Sequence, residues 1–458
     1  MAVTTKLARE DIDTPEKRER YTISVVGCDR VGLPIACLFA KAGFKVIGVD
    51  SNRHIVNLLK KGKSPFTAPQ LHAFIEKQMK SSHFTVTTDA RKAASASDII
   101  IINVPTPVDK KKRPDYSHVE KACKEVGMGL RSGSLIILQG IMGPGMTETL
   151  AKETLENASG LKAETDFSLA YSPFHAVPGR TLEDITAGTR VVGAMNQQSL
   201  DAACLLLDTI TTGETVKVRD IKTAEAVELF EKAHQDVNLA LANEFAYFCE
   251  KAGIDFVEAC DAANSQSHAC LEVPGIADVH VPEDSLLLLE EAEAMNVKLR
   301  MLTLARKVND KTLDHTLRLV RDALRSCQKP LRRARISVFG VSSRPNVKEP
   351  RGSPTKKLVS MLRKRGVSVR VYDPFFSQKE LSRMGYSVEA TLTKTVEGAD
   401  CIIIAVGHDR FRRLNLRRIK IFVKKPAAIV DIGHVIDPAK AEKKGFVYRG
   451  LGRGVWTR

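Results

Sequence analysis

A chain of 458 residues with 43% hydrophobic content, 29 glycines and 19 prolines has the composition of a globular protein of about three domains, not of a disordered one. Its nine cysteines are odd in number and scattered, with no CxxC pair and no histidine cluster at ligand spacing, which argues against a disulfide framework or a structural metal and for a reduced, cytoplasmic protein. The net charge of +16 is unevenly spread: residues 296–458 hold 38 Lys/Arg against 13 Asp/Glu, and the first 295 hold 32 against 41.

The opening residues contain no apolar signal core, and no later run approaches the roughly 18 apolar residues of a membrane span. Ile23 to Val26 reads as a buried strand, Gly27-Cys28-Asp29-Arg30-Val31-Gly32 as a tight turn opening a helix, and Lys45 to Val49 as a second strand ending on Asp50. That order is the first βαβ unit of a Rossmann-type domain, where GxGxxG brings backbone against a pyrophosphate and the later acid holds a ribose. Here Asp29 replaces the second glycine. It adds a Cβ and places a carboxylate against phosphate; at about 5 Å and an effective dielectric near 20, each pair of unit charges costs on the order of 3 kcal/mol. Tight dinucleotide binding in the usual pose is not expected.

Further strands are predicted at 98–103, 134–138, 167–171 and 189–192, alternating with helices at 117–130, 146–157 and 197–210, as in a doubly wound parallel sheet. From Ile221 the pattern becomes long helices. Phe230, Val237, Leu241, Phe245 and Phe248 share one face, which points to core or subunit packing, and 285–325 is again helical with a possible break. A second Rossmann-like unit begins at 335–340, continues through a helix at 353–365 and a strand at 368–372 ending on Asp373, and adds strands at 401–406 and 428–431. The fold class is therefore α/β, two Rossmann-like doubly wound domains (1–218 and 329–458) joined by a helical middle segment (219–328). Arg344, Lys348 and Arg351 precede the helix of the second unit. Guanidinium groups there suit a diphosphate, and a solvated basic loop explains them equally well on charge alone. The basic half, dense at Arg410 to Arg418, suits a polyanion partner or is simply a solvated surface; no zinc finger, RGG tract or aromatic RNP pattern accompanies it.

Several segments together resemble the UDP-glucose and UDP-N-acetylmannosamine dehydrogenase family over essentially the whole chain: Val31-Gly32-Leu33-Pro34, Val104-Pro105-Thr106-Pro107, Tyr171-Ser172-Pro173, Val177-Pro178-Gly179, Asp236 to Glu244, Arg351-Gly352-Ser353-Pro354 and Tyr448 to Gly454. The Asp236 to Glu244 stretch is most similar to the branch that oxidises UDP-N-acetylhexosamines. The resemblance implies a UDP-sugar substrate, a role in polysaccharide precursor synthesis, and a two-step oxidation of CH₂OH to carboxylate with two NAD. In it a cysteine captures the aldehyde, a lysine steadies the oxyanion, and an aspartate, a threonine and a glutamate handle the hydrolytic water. It also implies NAD at Gly27, Gly32, Asp50, Arg53, Thr106 and Pro107, and UDP-sugar at Arg344 and Arg351.

This chain departs from that pattern at the reacting centre. The cysteine position reads His280, the lysine Glu228, its neighbouring asparagine Lys232, the glutamate Phe174 and the threonine Ile141; only the aspartate, Asp284, matches. Glu228 and Lys232 could form an i, i+4 ion pair contributing about 0.2 to 0.5 kcal/mol if exposed, and Asp284 could equally be a helix N-cap. Cys270, ten residues before His280, reads as a small buried residue. The expected function is a family member that has lost oxidation to the uronate, as a homodimer or assembled with an active relative. The alternatives are a divergent NAD-dependent oxidoreductase stopping at the aldehyde, with His280 or Asp284 as base, and a polyanion-binding protein.

Overall fold

The computed structural model describes residues 7–66, 69–81, 83–109, 113–174, 180–276 and 280–456, with 69–71 and 280–283 described for the backbone alone. The chain packs as two compact units, Met1–Glu231 with Leu286–Met295 and Lys232–Ser285 with Asn296–Arg458. The helical middle is thus shared between them.

The first unit carries strands β1 (Thr22–Val26), β2 (Lys45–Val49), β3 (Phe84–Thr87), β4 (Ile99–Ile102), β5 (Leu135–Leu138), β6 (Ser168–Tyr171), β7 (Arg190–Ala194) and β8 (Thr215–Lys217) in the order 3-2-1-4-5-6-7-8. Both faces are covered, so β4 is four buried isoleucines and β5 is buried throughout, with no polar alternation. The strand order reverses between β1 and β4, and the crevice beyond their carboxyl ends is where such sheets bind ligands. One expectation changes. β7 runs antiparallel to β6, because an apolar run signals a strand without signalling its direction.

The turn after β1 depends on two glycines. Gly27 has φ +104°, and a Cβ on it would lie 1.8 Å from the Asn103 carbonyl oxygen; a Cβ on Gly32 would lie 2.0 Å from the carbonyl oxygen of Gly27. The helix Gly32–Ala42 therefore starts in direct backbone contact with the turn.

The second unit has β9 (Arg335–Phe339), β10 (Ser368–Tyr372), β11 (Cys401–Ile404), β12 (Ala427–Asp431) and β13 (Phe446–Gly450), all parallel, in the order 10-9-11-12-13. Helix Arg300–Ser326 packs on β11, β12 and β13. A buried polar network explains the Asp236 to Glu244 motif. Asp236 Oδ1 accepts from Arg306 Nη1 at 2.6 Å and from Asn309 Nδ2 at 2.7 Å, and Asn309 Oδ1 in turn accepts from Asn243 Nδ2 at 2.9 Å. Asn243 also grips the backbone of Gly275, donating to its carbonyl at 3.1 Å and accepting from its N–H at 3.0 Å.

The long helix Ile221–Ala252 does not bury its apolar stripe within the chain: Phe230, Leu241, Phe245 and Phe248 are all exposed, Phe248 by 64%. Among the described residues no helix is long and apolar enough to cross a membrane. Gly32→Ala is expected to destabilise the chain by about 3 kcal/mol or more, since the new methyl meets backbone that cannot yield. Urea unfolding measures this, and a loss below about 0.5 kcal/mol would contradict the close packing of the turn.

Candidate functional site

At the glycine turn, Asp29 folds its side chain back over the start of the helix. Its Oδ1 accepts from the N–H of Val31 at 2.9 Å, from the N–H of Gly32 at 2.9 Å and from Asn103 Nδ2 at 2.9 Å. Asn103 is buried and directly follows β4. Asp50 holds the same turn from the other side, accepting from Cys28 N–H at 3.1 Å and from Asn52 N–H at 2.8 Å. Arg53 is exposed at the start of the next helix. Thr106 and Pro107 are half-buried, and the Thr106 hydroxyl lies buried without a hydrogen-bond partner among the described residues.

These positions divide in their fitness for a dinucleotide. Asp50 and the Thr106 hydroxyl suit polar groups of a ligand. At the turn itself, the Val31 and Gly32 N–H groups, of the kind that cradle a diphosphate at a helix start, hold the Asp29 carboxylate. Among the described residues no group of three His, Cys, Asp or Glu could hold a metal ion.

The positions at the expected reacting centre lie among the following partners. Glu228 is 3% exposed and accepts from Tyr171 Oη at 3.2 Å. It is thus a buried acid, not a member of a solvated helix ion pair. Burial and the charges of Glu228 and Glu225 push Tyr171 well above the usual phenol range. Lys232 is half-buried one turn further along that helix. Phe174 lies beneath a buried guanidinium, with Arg190 Cζ 3.9 Å from its ring centroid. Arg190 Nη2 donates to the Ile185 carbonyl at 2.9 Å, and burial pulls its pKa down to about 10. A desolvated cation over a ring contributes about 2 kcal/mol. Ile141 is half-buried beyond β5. A cavity of about 380 Å³ opens beside Pro173, Arg190 and Glu228.

His280 begins the helix His280–Ala294, and its side chain lies outside the described residues. Asp284 is buried within that helix, past its first turn, and so does not serve as the N-cap. Cys270 is exposed, contrary to the buried position expected for it. Hydrophobicity alone places cysteine inside; here the segment around it is polar and solvated. Val177, Pro178 and Gly179 lie outside the described residues.

Sequence reasoning missed the groups that hold the loop carrying Ile141. Glu225 accepts from the N–H of Gly145 and, at 2.8 Å, from that of Thr147, while Tyr116 Oη accepts from Gly143 N–H at 3.1 Å and donates to Glu291 Oε1 at 3.4 Å. The signal for Glu225 was present as an acid on the inward face of a helix. Gln139 and Ser172 directly follow β5 and β6, and their buried side-chain polar atoms have no partner among the described residues. Such atoms mark a place for water or a polar ligand at the sheet's carboxyl edge.

In the second unit, Asp373 Oδ2 accepts from the N–H of Val341 at 2.7 Å and of Ser342 at 3.3 Å, and pairs with buried His408 Nε2 at 3.2 Å. Arg351 remains 67% exposed while pairing with buried Glu349 at 3.3 Å. Arg344 is half-buried near Glu272, whose carboxyl is pushed up by burial against the charges of His234 and Arg344. Lys348 pairs with Glu380 at 2.6 Å and, by that bond first, holds its carboxyl down to about 2.

Glu225 supplies a pH test. Burial raises its pKa from 4.5 to about 7 against the backbone N–H groups it accepts. The folded chain then keeps a proton that the unfolded chain releases. Its stabilising effect is greatest below the unfolded value of 4.5, declines as pH rises, and levels off above about 7. The wild-type minus Glu225→Gln difference in unfolding free energy should fall by on the order of 3 kcal/mol across that window. A flat difference in urea titrations would refute the buried acid.

Three family models match successive stretches. Residues 21–211 match the NAD binding domain of the UDP-glucose/GDP-mannose dehydrogenase family, 222–311 its central domain and 337–438 its UDP binding domain. A UDP-N-acetyl-D-mannosamine dehydrogenase of Pyrococcus horikoshii is 30% identical over 434 residues, covering 94% of this chain and 99% of the relative. An NDP-N-acetyl-D-galactosaminuronic acid dehydrogenase of Ralstonia nicotianae is 29% identical over 87% of this chain and 93% of its own length. Among solved structures, the UDP-N-acetyl-D-mannosamine dehydrogenase of Pyrococcus horikoshii superposes with a TM-score of 0.86 at 29% identity over 95% of this chain and 100% of that one. The NDP-N-acetyl-D-galactosaminuronic acid dehydrogenase of Methanosarcina mazei gives 0.82 at 28% identity, over 97% and 99%. Two nucleotide-binding sheets, the helical middle and these matches agree throughout: the chain belongs to the UDP-glucose/GDP-mannose dehydrogenase family.

Proposed function

We propose that this chain is a nucleotide-sugar-binding member of its family that does not carry out the oxidation of a UDP-sugar to the uronate. The observation that carries the proposal is Glu228. Where the family chemistry needs a cation to steady a developing oxyanion, this chain holds a buried acid bonded to Tyr171, so charge growing nearby would be opposed instead of stabilised. His280 at the nucleophile position cannot form a thioester. Apolar Phe174 and Ile141 stand where the family has two of its water-directing groups, and of that set only Asp284 matches.

Binding of the nucleotide remains supported by Arg344 and by the outward guanidinium of Arg351 in the loop before helix Thr355–Lys364. The exposed face of Leu241, Phe245 and Phe248 supports pairing with a second copy or an active relative. Purified chain given NAD and a panel of UDP-sugars should form no NADH above background; robust turnover to a uronate sinks the proposal. Calorimetry with UDP should give saturable binding that the double substitution Arg344→Ala, Arg351→Ala weakens by about ten- to a hundredfold, equivalent to roughly 1.5 to 3 kcal/mol.

A second reading rests on a groove of about 850 Å³ in the second unit, where Lys307, Lys311, Arg318, Arg321 and Arg365 outnumber the lining acids Glu244 and Asp314. Four of these cations lie along one face of helix Arg300–Ser326. They suit a polyanion. Retention on heparin beyond about 0.2 M salt supports that use, and elution below it leaves nonspecific charge alone.

A further inference from the structure

We propose that Asp29 is a built-in substitute for a bound phosphate: its carboxylate occupies the anion seat at the start of helix Gly32–Ala42 and keeps a dinucleotide diphosphate out. The seat has the construction expected of an anion site. The N–H groups of Val31 and Gly32 converge at the helix start, Gly27 and Gly32 let the backbone close up behind them, and the buried amide of Asn103 donates from the end of β4. All three donors end on one oxygen, Asp29 Oδ1, each at 2.9 Å. A negative charge already satisfies them.

Two consequences separate this device from simple repulsion. The donors are saturated, so a phosphate must displace the carboxylate before gaining any bond. The carboxylate also ties the turn to β4 through Asn103, so removing it leaves those donors open to an external anion. Asp29 itself is exposed, and once the carboxylate is gone a small anion can reach the seat from solvent. This inference deepens the noncatalytic proposal without depending on it. A chain that bound NAD tightly would refute the seat's closure and leave the missing nucleophile untouched, whereas turnover to a uronate would refute both.

The test uses the full chain with inorganic pyrophosphate and NAD as probes. Wild type, Asp29→Gly and Asp29→Ala are compared by calorimetry and by hydrogen exchange over residues 29–33. Wild type should bind both probes at least tenfold more weakly than Asp29→Gly, and its Val31 and Gly32 amides should be protected without ligand. In the variants those amides should exchange faster and regain protection when pyrophosphate is added. Asp29→Ala removes the same oxygens while keeping a stiffer backbone, and reads the same effect if the glycine chain does not fold. Equal probe affinity in wild type and variants, or no ligand-dependent protection at residues 29–33 in either variant, overturns the proposal.

Discussion

Parallel strands covered on both faces expose polar groups chiefly at their ends, and the parallel strands of both sheets obey that constraint. Strands such as β4 and β5 are apolar through their whole length, so the residues just past them carry the chemistry: Asn103, Gln139 and Ser172 in the first unit, Val341 and Ser342 after β9 in the second. In each unit an acid at the end of the next strand, Asp50 or Asp373, ties down the turn after the first strand. The recurrence follows from geometry. A turn with converging N–H groups at a strand end needs an acceptor, and the neighbouring strand end is the nearest place from which to supply one.

The first unit is built around buried acids. Glu225, Glu228 and Glu291 are each bonded to a backbone N–H or a tyrosine hydroxyl, and burial raises both Glu225 and Glu291. Carboxylates in such surroundings are tolerated because donors meet them. They order the loop beyond β5 and fix the tyrosines.

Much of the fold was legible because long apolar runs and their spacing are local signals. The glycine turn, the strands ending on Asp50 and Asp373, and both long helices are readable one segment at a time. The direction of β7 is not, since side-chain pattern carries no polarity. For the site, the sequence names positions but not their partners. Phe174 reads as a lost acid, yet its contact with Arg190 joins residues 16 positions apart in sequence and depends on how β6 and β7 lie together. Likewise Glu228 looks like a helix surface residue until Tyr171 covers it. The exposed stripe of Leu241, Phe245 and Phe248 was visible as periodicity, and periodicity cannot tell a core from an unoccupied surface.

The Phe174 and Arg190 pair makes this position sensitive to charge. Phe174 is part of the unit's interior packing, and the buried Arg190 guanidinium lies over its ring. Placing an acid at that one position would exchange an aromatic contact for a newly buried charge pair whose desolvation can outweigh its attraction. A charge placed at position 174 is therefore felt first in the stability of the unit, through the packing around Arg190.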